Sequence, residues 1–339
     1  MRNTALVTGA TGFLGSRLVA TLVEQGWTVR ACGRRPRPPD LPDSVDYRVV
    51  DLAGETPLAA LADGVTHLFH LAGASSSTST EEGMHRDNVV ATQRLLAAFP
   101  AGQLARLVHM SSTSVYGEEV ALPVPVREDV EPNPSRGYGK AKWRTEEVIW
   151  RRAAEGWPVV VLRPVSVYGP GNVKLLGSVV LDVAMEAYGG NRVLPVPSSP
   201  VEQRLLHIDD LMRASLHVAT SEAAAGRAFN VVADRYPTSL EVAALVADRF
   251  AMAVELDDDP DCGPSYEQRR QIHTDMVAAG MRPDILLTTE RFRFLRKANR
   301  NNRLSTDALV ATGFRFTETD LDAAIGRTID WYRRRCWVL

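Results

Sequence analysis

Two side chains in the run YGKAK, Tyr138 and Lys142, stand four residues apart at the start of a helical pattern. That spacing stacks them on one helix face and predicts an ammonium beside a phenol. A unit charge about 4 Å away, at an effective dielectric of about 20, is worth roughly 4 kcal/mol. That is about three pKa units, enough to draw a tyrosine from about 10 towards 7. A phenol tuned there exchanges a proton with a carbonyl or hydroxyl at neutral pH. The run HMSSTSVYG, 109–117, follows a strand and supplies Ser112, whose hydroxyl can donate to the same substrate oxygen. A Tyr–Lys pair alone is common, so its weight rests on Ser112 and on a glycine pattern upstream.

That pattern is TALVTGATGFLGSRL, 4–18, with Gly9, Gly12 and Gly15 between an apolar strand and a helix. The three glycines suit a tight turn, close backbone approach to a pyrophosphate, and close helix–strand packing. Free N–H groups at the helix start would face the phosphates, with Thr11, Phe13 and Leu14 in the same turn as further dinucleotide contacts. The second strand ends at Gly33, where an NAD site usually carries an acidic residue for the ribose hydroxyls. Arg34 and Arg35 follow instead, and a guanidinium suits the extra phosphate of NADP. NADP(H) is therefore the expected cofactor and NAD(H) the alternative; the competing reading of the arginines is a solvated basic turn. Asp51, with Leu52 after it, closes a third strand, either to accept from the adenine amino group or as a plain loop carboxylate.

The elements that must hold these groups alternate. Strand-like runs fall at 4–8, 28–32, 45–50, 67–71, 107–110 and 159–162, with helical patterns at 14–23, 88–99 and 138–154. Such alternation predicts an α/β fold with a doubly wound parallel sheet. After residue 162, prolines punctuate loops, followed by a strand and helix over 207–220 and a strand at 228–232. The last third reads as helices at 239–250, 306–312 and 321–335. The expected division is a dinucleotide-binding domain over 1–165, rejoined by about 203–234, and a smaller mixed C-terminal substrate domain over 166–339.

Bulk composition narrows the class. The chain has 339 residues, 45% hydrophobic, with formal net charge −2, which gives no reason to expect nucleic acid or an acidic membrane surface as partner. Cys32, Cys262 and Cys336 lack metal-ligand spacing, so reduced cytosolic thiols and no metal site are expected. The apolar stretch 175–185 is interrupted by Gly177 and Asp182 and falls far short of the roughly 20 apolar residues of a membrane span. Residues 73–80, GASSSTST, form an expected loop in which Ser75 is a candidate substrate contact. The basic run across 289–304 is either a solvated helix face or a cationic flap that brings Arg300 or Arg303 to an anionic substrate.

Together these motifs resemble the extended short-chain dehydrogenase/reductases of the NAD(P)-dependent epimerase/dehydratase family. They are TGATGFLG (8–15), DL (51–52), FHLAG (69–73), SSTSVYG (111–117), YGKAK (138–142), LRPVSVYGPG (162–171) and RLLHIDDL (204–211). The resemblance implies a Rossmann-type domain and catalysis by Ser112, Tyr138 and Lys142, with Lys142 also holding the nicotinamide ribose. It places Leu71, Ala72 and Gly73 beside the cofactor, Asn88 on the following helix, Arg163 and Pro164 near the nicotinamide, and Val167 among the cofactor contacts. It also implies a homodimer joined through helices of the Rossmann domain, and Arg204 as a contact to a substrate diphosphate, against a structural salt bridge.

Departures from the family pattern narrow the chemistry. Thr113 and Ser114 stand where sugar dehydratases carry an Asp-Glu pair, which disfavours water elimination. Ser114 also replaces the cysteine base of some epimerase-reductases. Lys174 lies near a second acid/base of certain members, and Ser166 stands where nucleotide-sugar members often carry asparagine. Three readings follow: an NADPH-dependent ketoreductase acting on a nucleotide-linked keto-sugar, a redox-neutral nucleotide-sugar epimerase, and a dinucleotide-sensing module without turnover.

Overall fold

Seven parallel strands form the sheet, the central ones apolar and buried on both faces and the edge strand β3 polar and unburied: β1 (Thr4–Thr8), β2 (Thr28–Gly33), β3 (Asp46–Val49), β4 (His67–His70), β5 (Arg106–Met110), β6 (Val159–Pro164) and β10 (Arg227–Val231). The sheet order is β10-β6-β5-β4-β1-β2-β3. Strand order reverses between β1 and β4, where Thr8 pairs with His70; in open α/β sheets ligands bind outside the carboxyl ends of strands at such a switch point. The computed structural model describes residues 3–74, 80–117, 122–135, 137–259, 263–296 and 303–339.

These strands belong to the first of two units, Met1–Val165 with Asp209–Val232 and Asn302–Arg315. Its helices are α1 (Phe13–Glu24), α2 (Ala59–Ala62), α3 (Glu81–His85), α4 (Ala91–Ala97), α5 (Gly137–Ala154), α7 (Ile208–Thr220, in this unit from Asp209) and α11 (Asp307–Val310). A π-helical turn, Arg86–Val90, leads into α4, so the expected helix from 88 begins earlier and in a wider turn. Leu68, Leu107 and Val161 of the sheet pack with Leu95 and Leu96 of α4 and Ile149 of α5. The segment 302–315, expected with the C-terminal half, is tied to this unit by Val126 N–H donating to Arg303 O (2.7 Å) and Ser305 N–H to Val126 O (2.9 Å).

The second unit comprises Ser166–Ile208, Ala233–Asn301 and Phe316–Leu339. It holds two parallel strand pairs, β7 (Ser166–Tyr168) with β9 (Leu205–His207) and β8 (Val193–Pro197) with β11 (Ala253–Asp257). Its helices are α6 (Leu176–Tyr188), α8 (Ser239–Asp248), α9 (Tyr266–Ala278), α10 (Arg293–Arg296) and α12 (Leu321–Arg334). The apolar stretch first judged against a membrane span is α6, buried on every side from Leu176 to Glu186. No helix among the described residues is long and apolar enough to cross a membrane. Helix α9 has no clear apolar periodicity and buries only Arg269 and Met276; its sequence signal is the capping box of Ser265 and Gln268.

Candidate active site

The loop after β1 is shaped by what glycine lacks. Gly9 has φ +70°, and a Cβ there would lie 2.9 Å from Ala72 N; a Cβ on Gly15 would lie 2.2 Å from Gly9 O. Helix, loop and the FHLAG turn therefore meet at backbone distance. Gly12 N–H donates to Gly9 O at 3.0 Å, and its exposed backbone opens α1. Thr11, Phe13 and Leu14 around it are half-buried. This cradle without side chains fits a dinucleotide pyrophosphate.

A buried polar chain fixes the neighbouring turn. Leu71 N–H and Ala72 N–H both donate to Thr8 Oγ1, at 3.2 and 3.1 Å. Thr8 must then give its own proton to His70 Nδ1 (2.8 Å), which makes His70 Nε2 the donor to Thr92 Oγ1 (2.7 Å), and Thr92 donates to Asn88 O. Burial pushes the His70 pKa down to about 3, with Lys142 adding repulsion, so the ring stays neutral. Asn88, itself buried, donates to Met84 O (2.8 Å) and to Ala74 O (3.4 Å). A Cβ on Gly73 would meet Asn88 Oδ1 at 2.4 Å and lie 3.7 Å from Lys142 Nζ. Leu71, Ala72, Gly73 and Asn88 are thus assembled beside the lysine. Ser75 lies outside the described residues.

At the end of β2 the arginines are engaged by the protein, unlike a freely solvated turn. Arg35 donates through Nη2 to Thr11 O and through Nε to Thr11 Oγ1 (3.3 Å), while Tyr47 OH donates to Arg35 O at 2.6 Å. Arg34 Nη1 meets Asp87 Oδ2 at 2.7 Å. Arg86 bridges Asp87 Oδ1 (2.8 Å) and Asp51 Oδ2 (2.5 Å). Burial would raise the Asp51 pKa, but the Ala53 N–H and Arg86 outweigh it and lower it, so the carboxylate is ionised. Leu52 is buried next to it.

Ser112, Thr113 and Ser114 form a tight turn at the end of β5. Ser112 Oγ accepts from Ser114 N (3.2 Å) and from Ser114 Oγ (3.0 Å), and Thr113 Oγ1 donates to Pro164 O at 3.4 Å. Tyr138 opens α5 and shares a hydrogen bond with the Ser112 side chain. Lys142 is buried, donates to Met110 O at 2.8 Å, and its Nζ stands 5.8 Å from the Tyr138 ring centroid. The fold therefore brings the three expected groups together.

Their electrostatics correct the sequence expectation. Although Tyr138 is half-buried as a residue, desolvation pushes its phenol up to about 12, and the Ser112 hydrogen bond only partly offsets this. Burial pushes Lys142 down to about 8, with Glu146 pulling the other way. Helical spacing gave proximity, but the ammonium points to a backbone carbonyl and burial disfavours charge on both groups. At neutral pH the phenol stays protonated, a proton donor rather than a ready base.

A further group escaped sequence reasoning. Glu146, one turn after Lys142, is fully buried; Arg163 Nη2 holds its Oε2 at 2.7 Å, and the Ser111 hydroxyl donates to its Oε1. Arg163 also donates to Tyr116 OH (2.9 Å), which donates to Asn230 Oδ1 (2.8 Å). This network braces Ser111, next to Ser112, and the helix turn carrying Lys142. The i, i+4 spacing of Lys142 and Glu146 was the only local signal, since Arg163 is distant in sequence.

The remaining candidates are more scattered. Pro164 ends β6 and is buried. Ser166 and Val167 lie on β7, Lys174 is exposed before α6, and half-buried Arg204 precedes β9, all in the second unit. Arg303 is exposed in the first unit, and Arg300 lies outside the described residues. Within the basic run, Arg291 is buried against Glu186 at 2.9 Å and Phe292 is buried beside it, so this part is not a solvated face.

Fold and site define a dinucleotide-binding α/β protein of Rossmann type. Residues 5–232 match the NAD dependent epimerase/dehydratase family, and the chain belongs to that family. By that membership it is an NAD(P)-dependent enzyme of the oxidoreductase and epimerase group. GDP-6-deoxy-D-mannose reductase of Pseudomonas aeruginosa is 30% identical over 281 residues, covering 80% of this chain and 88% of the reductase. Against two other curated relatives the match spans about half of the relative's length, 53% and 52%. MoeE5 in complex with UDP-glucose and NAD is 26% identical with TM-score 0.69, covering 98% of this chain and 99% of that one. RMD from Pseudomonas aeruginosa complexed with NADPH shares the fold, at 23% identity and TM-score 0.71, with the same coverage of both chains.

Proposed function

We propose that the chain is an NADP(H)-dependent ketoreductase acting on a nucleotide-linked keto-sugar. The observation that carries the cofactor preference is the end of β2, where Gly33 replaces the usual acidic residue and Arg34 and Arg35 flank the glycine loop. A phenol protonated at neutral pH can serve as the proton donor when a carbonyl is reduced. When bound, the nicotinamide supplies the hydride. Tyr138 gives its proton to the developing alkoxide, Ser112 donates a hydrogen bond to the same oxygen, and Lys142 holds the nicotinamide ribose. Gly9, Thr11, Gly12, Phe13, Leu14 and Gly15 receive the pyrophosphate, and Asp51 and Leu52 the adenine. The turn Leu71–Gly73, Asn88, Pro164 and Val167 border the nicotinamide half. Substrate contacts are assigned to Ser75, Thr113, Ser114, Ser166, Lys174, Arg204 and Arg303. The similarity to GDP-6-deoxy-D-mannose reductase over most of both chains supports a sugar nucleotide as substrate.

The second reading is a redox-neutral epimerase that retains NAD(P); it is favoured by the similarity to MoeE5, captured with UDP-glucose and NAD. The dinucleotide-sensing module is the weakest reading, because Tyr138, Lys142 and Ser112 are all kept. The face of α5 that carries Trp143, Arg144, Glu147, Trp150 and Arg151 lines a concavity and suits pairing of Rossmann-domain helices in a homodimer, and the setting proposed is cytoplasmic. Mass spectrometry of ligands released from the purified protein, followed by NADPH oxidation on a panel of nucleotide-linked keto-sugars, tests the assignment. Net NADPH consumption is expected. Stoichiometric retained cofactor with epimerised substrate and no consumption would replace the reductase by the epimerase.

A further inference from the structure

Arg34, Asp87, Arg86 and Asp51 form a line of four alternating charges with contacts of 2.7, 2.8 and 2.5 Å. Their formal charges cancel, so Arg34, though not Arg35, is offset in charge from the π-helical turn before α4. Asp87 is the most enclosed of the four, with its side chain 17% exposed against 59% for Arg34 and 51% for Arg86, and it touches both arginines. Turns of this kind often mark functional positions. Nothing in the reductase mechanism above uses Asp87.

A phosphate on the adenine ribose and the Asp87 carboxylate would compete for one guanidinium. The phosphate must displace Asp87 from Arg34 and then sit near a like charge. A plain ribose hydroxyl carries no charge and faces neither cost. We propose that Asp87 is a specificity-determining positioning residue: by holding Arg34 it sets how strongly the protein prefers a 2′-phosphorylated dinucleotide. The inference rests on the reading of Arg34 as the residue that receives that phosphate. Exposed charge pairs are individually weak and screened by salt, so a graded change in preference is expected rather than an all-or-none one.

The test is calorimetric titration of the full chain with adenosine 2′,5′-bisphosphate and with 5′-AMP, at low and high salt. Asp87→Asn should tighten the bisphosphate about two- to fivefold at low salt and leave AMP unchanged, consistent with exposed charge pairs. Unchanged AMP binding also reports a folded variant. Asp87→Glu, which restores the carboxylate, should return the ratio towards wild type, and the gain should shrink in an Arg34→Ala background. If Arg34→Ala abolishes the bisphosphate preference while Asp87→Asn leaves the ratio unmoved or lowers it, the Asp87 inference falls and the NADP(H) reading stands. If Arg34→Ala itself leaves the ratio unchanged, the Asp87 inference falls and the phosphate would have to rest on Arg35; if the wild type does not prefer the bisphosphate at all, the NADP(H) reading falls as well. Equal loss of both ligands in Asp87→Asn also overturns the inference, since Asp87 would then be structural.

Discussion

Two buried arginine–carboxylate pairs, one from each unit, differ in what surrounds them; the second unit also buries Arg291 against Glu186. In the first unit, Glu146 and Arg163 sit among Ser111, Tyr116 and Asn230, one helix turn from Lys142 and one residue from Ser112. In the second, Asp182 and Arg269 meet at 2.9 Å inside the helical core, with Asp182 accepting from Phe292 N–H and Arg269 donating to Thr288 O and Thr289 O. Those partners are backbone groups, and none is assigned to catalysis or to cofactor binding. Burying such a pair is weak evidence of stability or function by itself; what differs here is whether its neighbours can touch a substrate.

The widest separation between the units should come from Tyr138→Phe. Turnover should fall about 10²- to 10⁴-fold, the range of a lost general acid, with NADPH affinity within about twofold; steady-state kinetics and a binding titration check this. Wild-type rates would remove the phenol from the mechanism and leave the first unit without its acid.

The two buried pairs can then be set against each other. Glu146→Gln and Asp182→Asn each leave a buried arginine without its counter-ion, and each should cost about 3–5 kcal/mol by denaturant unfolding. Only Glu146→Gln should alter the pH dependence of turnover. Glu146 raises the Lys142 pKa against burial, so its removal should move the alkaline fall in kcat/KM from about 8 to lower pH. An unmoved profile in Glu146→Gln, or a shifted one in Asp182→Asn, would erase the distinction.

A smaller effect concerns acid stability in the first unit. His70 is pushed down to about 3 and His109 well below its ordinary value, both chiefly by burial. Their folded values lie below the unfolded one near 6.5, so the stability they contribute is present above pH 6.5. It is lost as pH falls towards the folded values, at up to about 1.4 kcal/mol per pH unit for each ring. Neither ring nitrogen of His109 has a side-chain hydrogen-bond partner among the described residues, which makes His109→Leu the suitable variant. Melting temperatures recorded from pH 7 to 4 should fall less steeply in it than in wild type, and equal slopes would assign the acid loss elsewhere.

Legibility from sequence followed the locality of the interactions. β1, α1, β2, β4, β5, α5 and β6 were readable because apolar runs and turn glycines are short-range signals. Helix α6 was not, because burial on all faces removes the polar side that marks an amphipathic helix, and β11 is a half-exposed strand with acidic residues. Among candidate site residues, the glycines and the Tyr138–Lys142 spacing were visible within one motif each. The pairings of Asp87 with Arg34 and of Arg163 with Glu146 were not, since the partners lie 53 and 17 residues apart.

The sequence alone determined which groups exist and which share a turn: a glycine-lined helix start, a basic end to β2, a serine after β5, and a phenol and an ammonium on one helix face. Tertiary structure decided their charge. Desolvation depends on everything packed around a group, so the same Tyr–Lys spacing that promises an acidic phenol on charge proximity alone yields a protonated one here, and a carboxylate from the turn before α4 neutralises an arginine that looked unopposed along the chain.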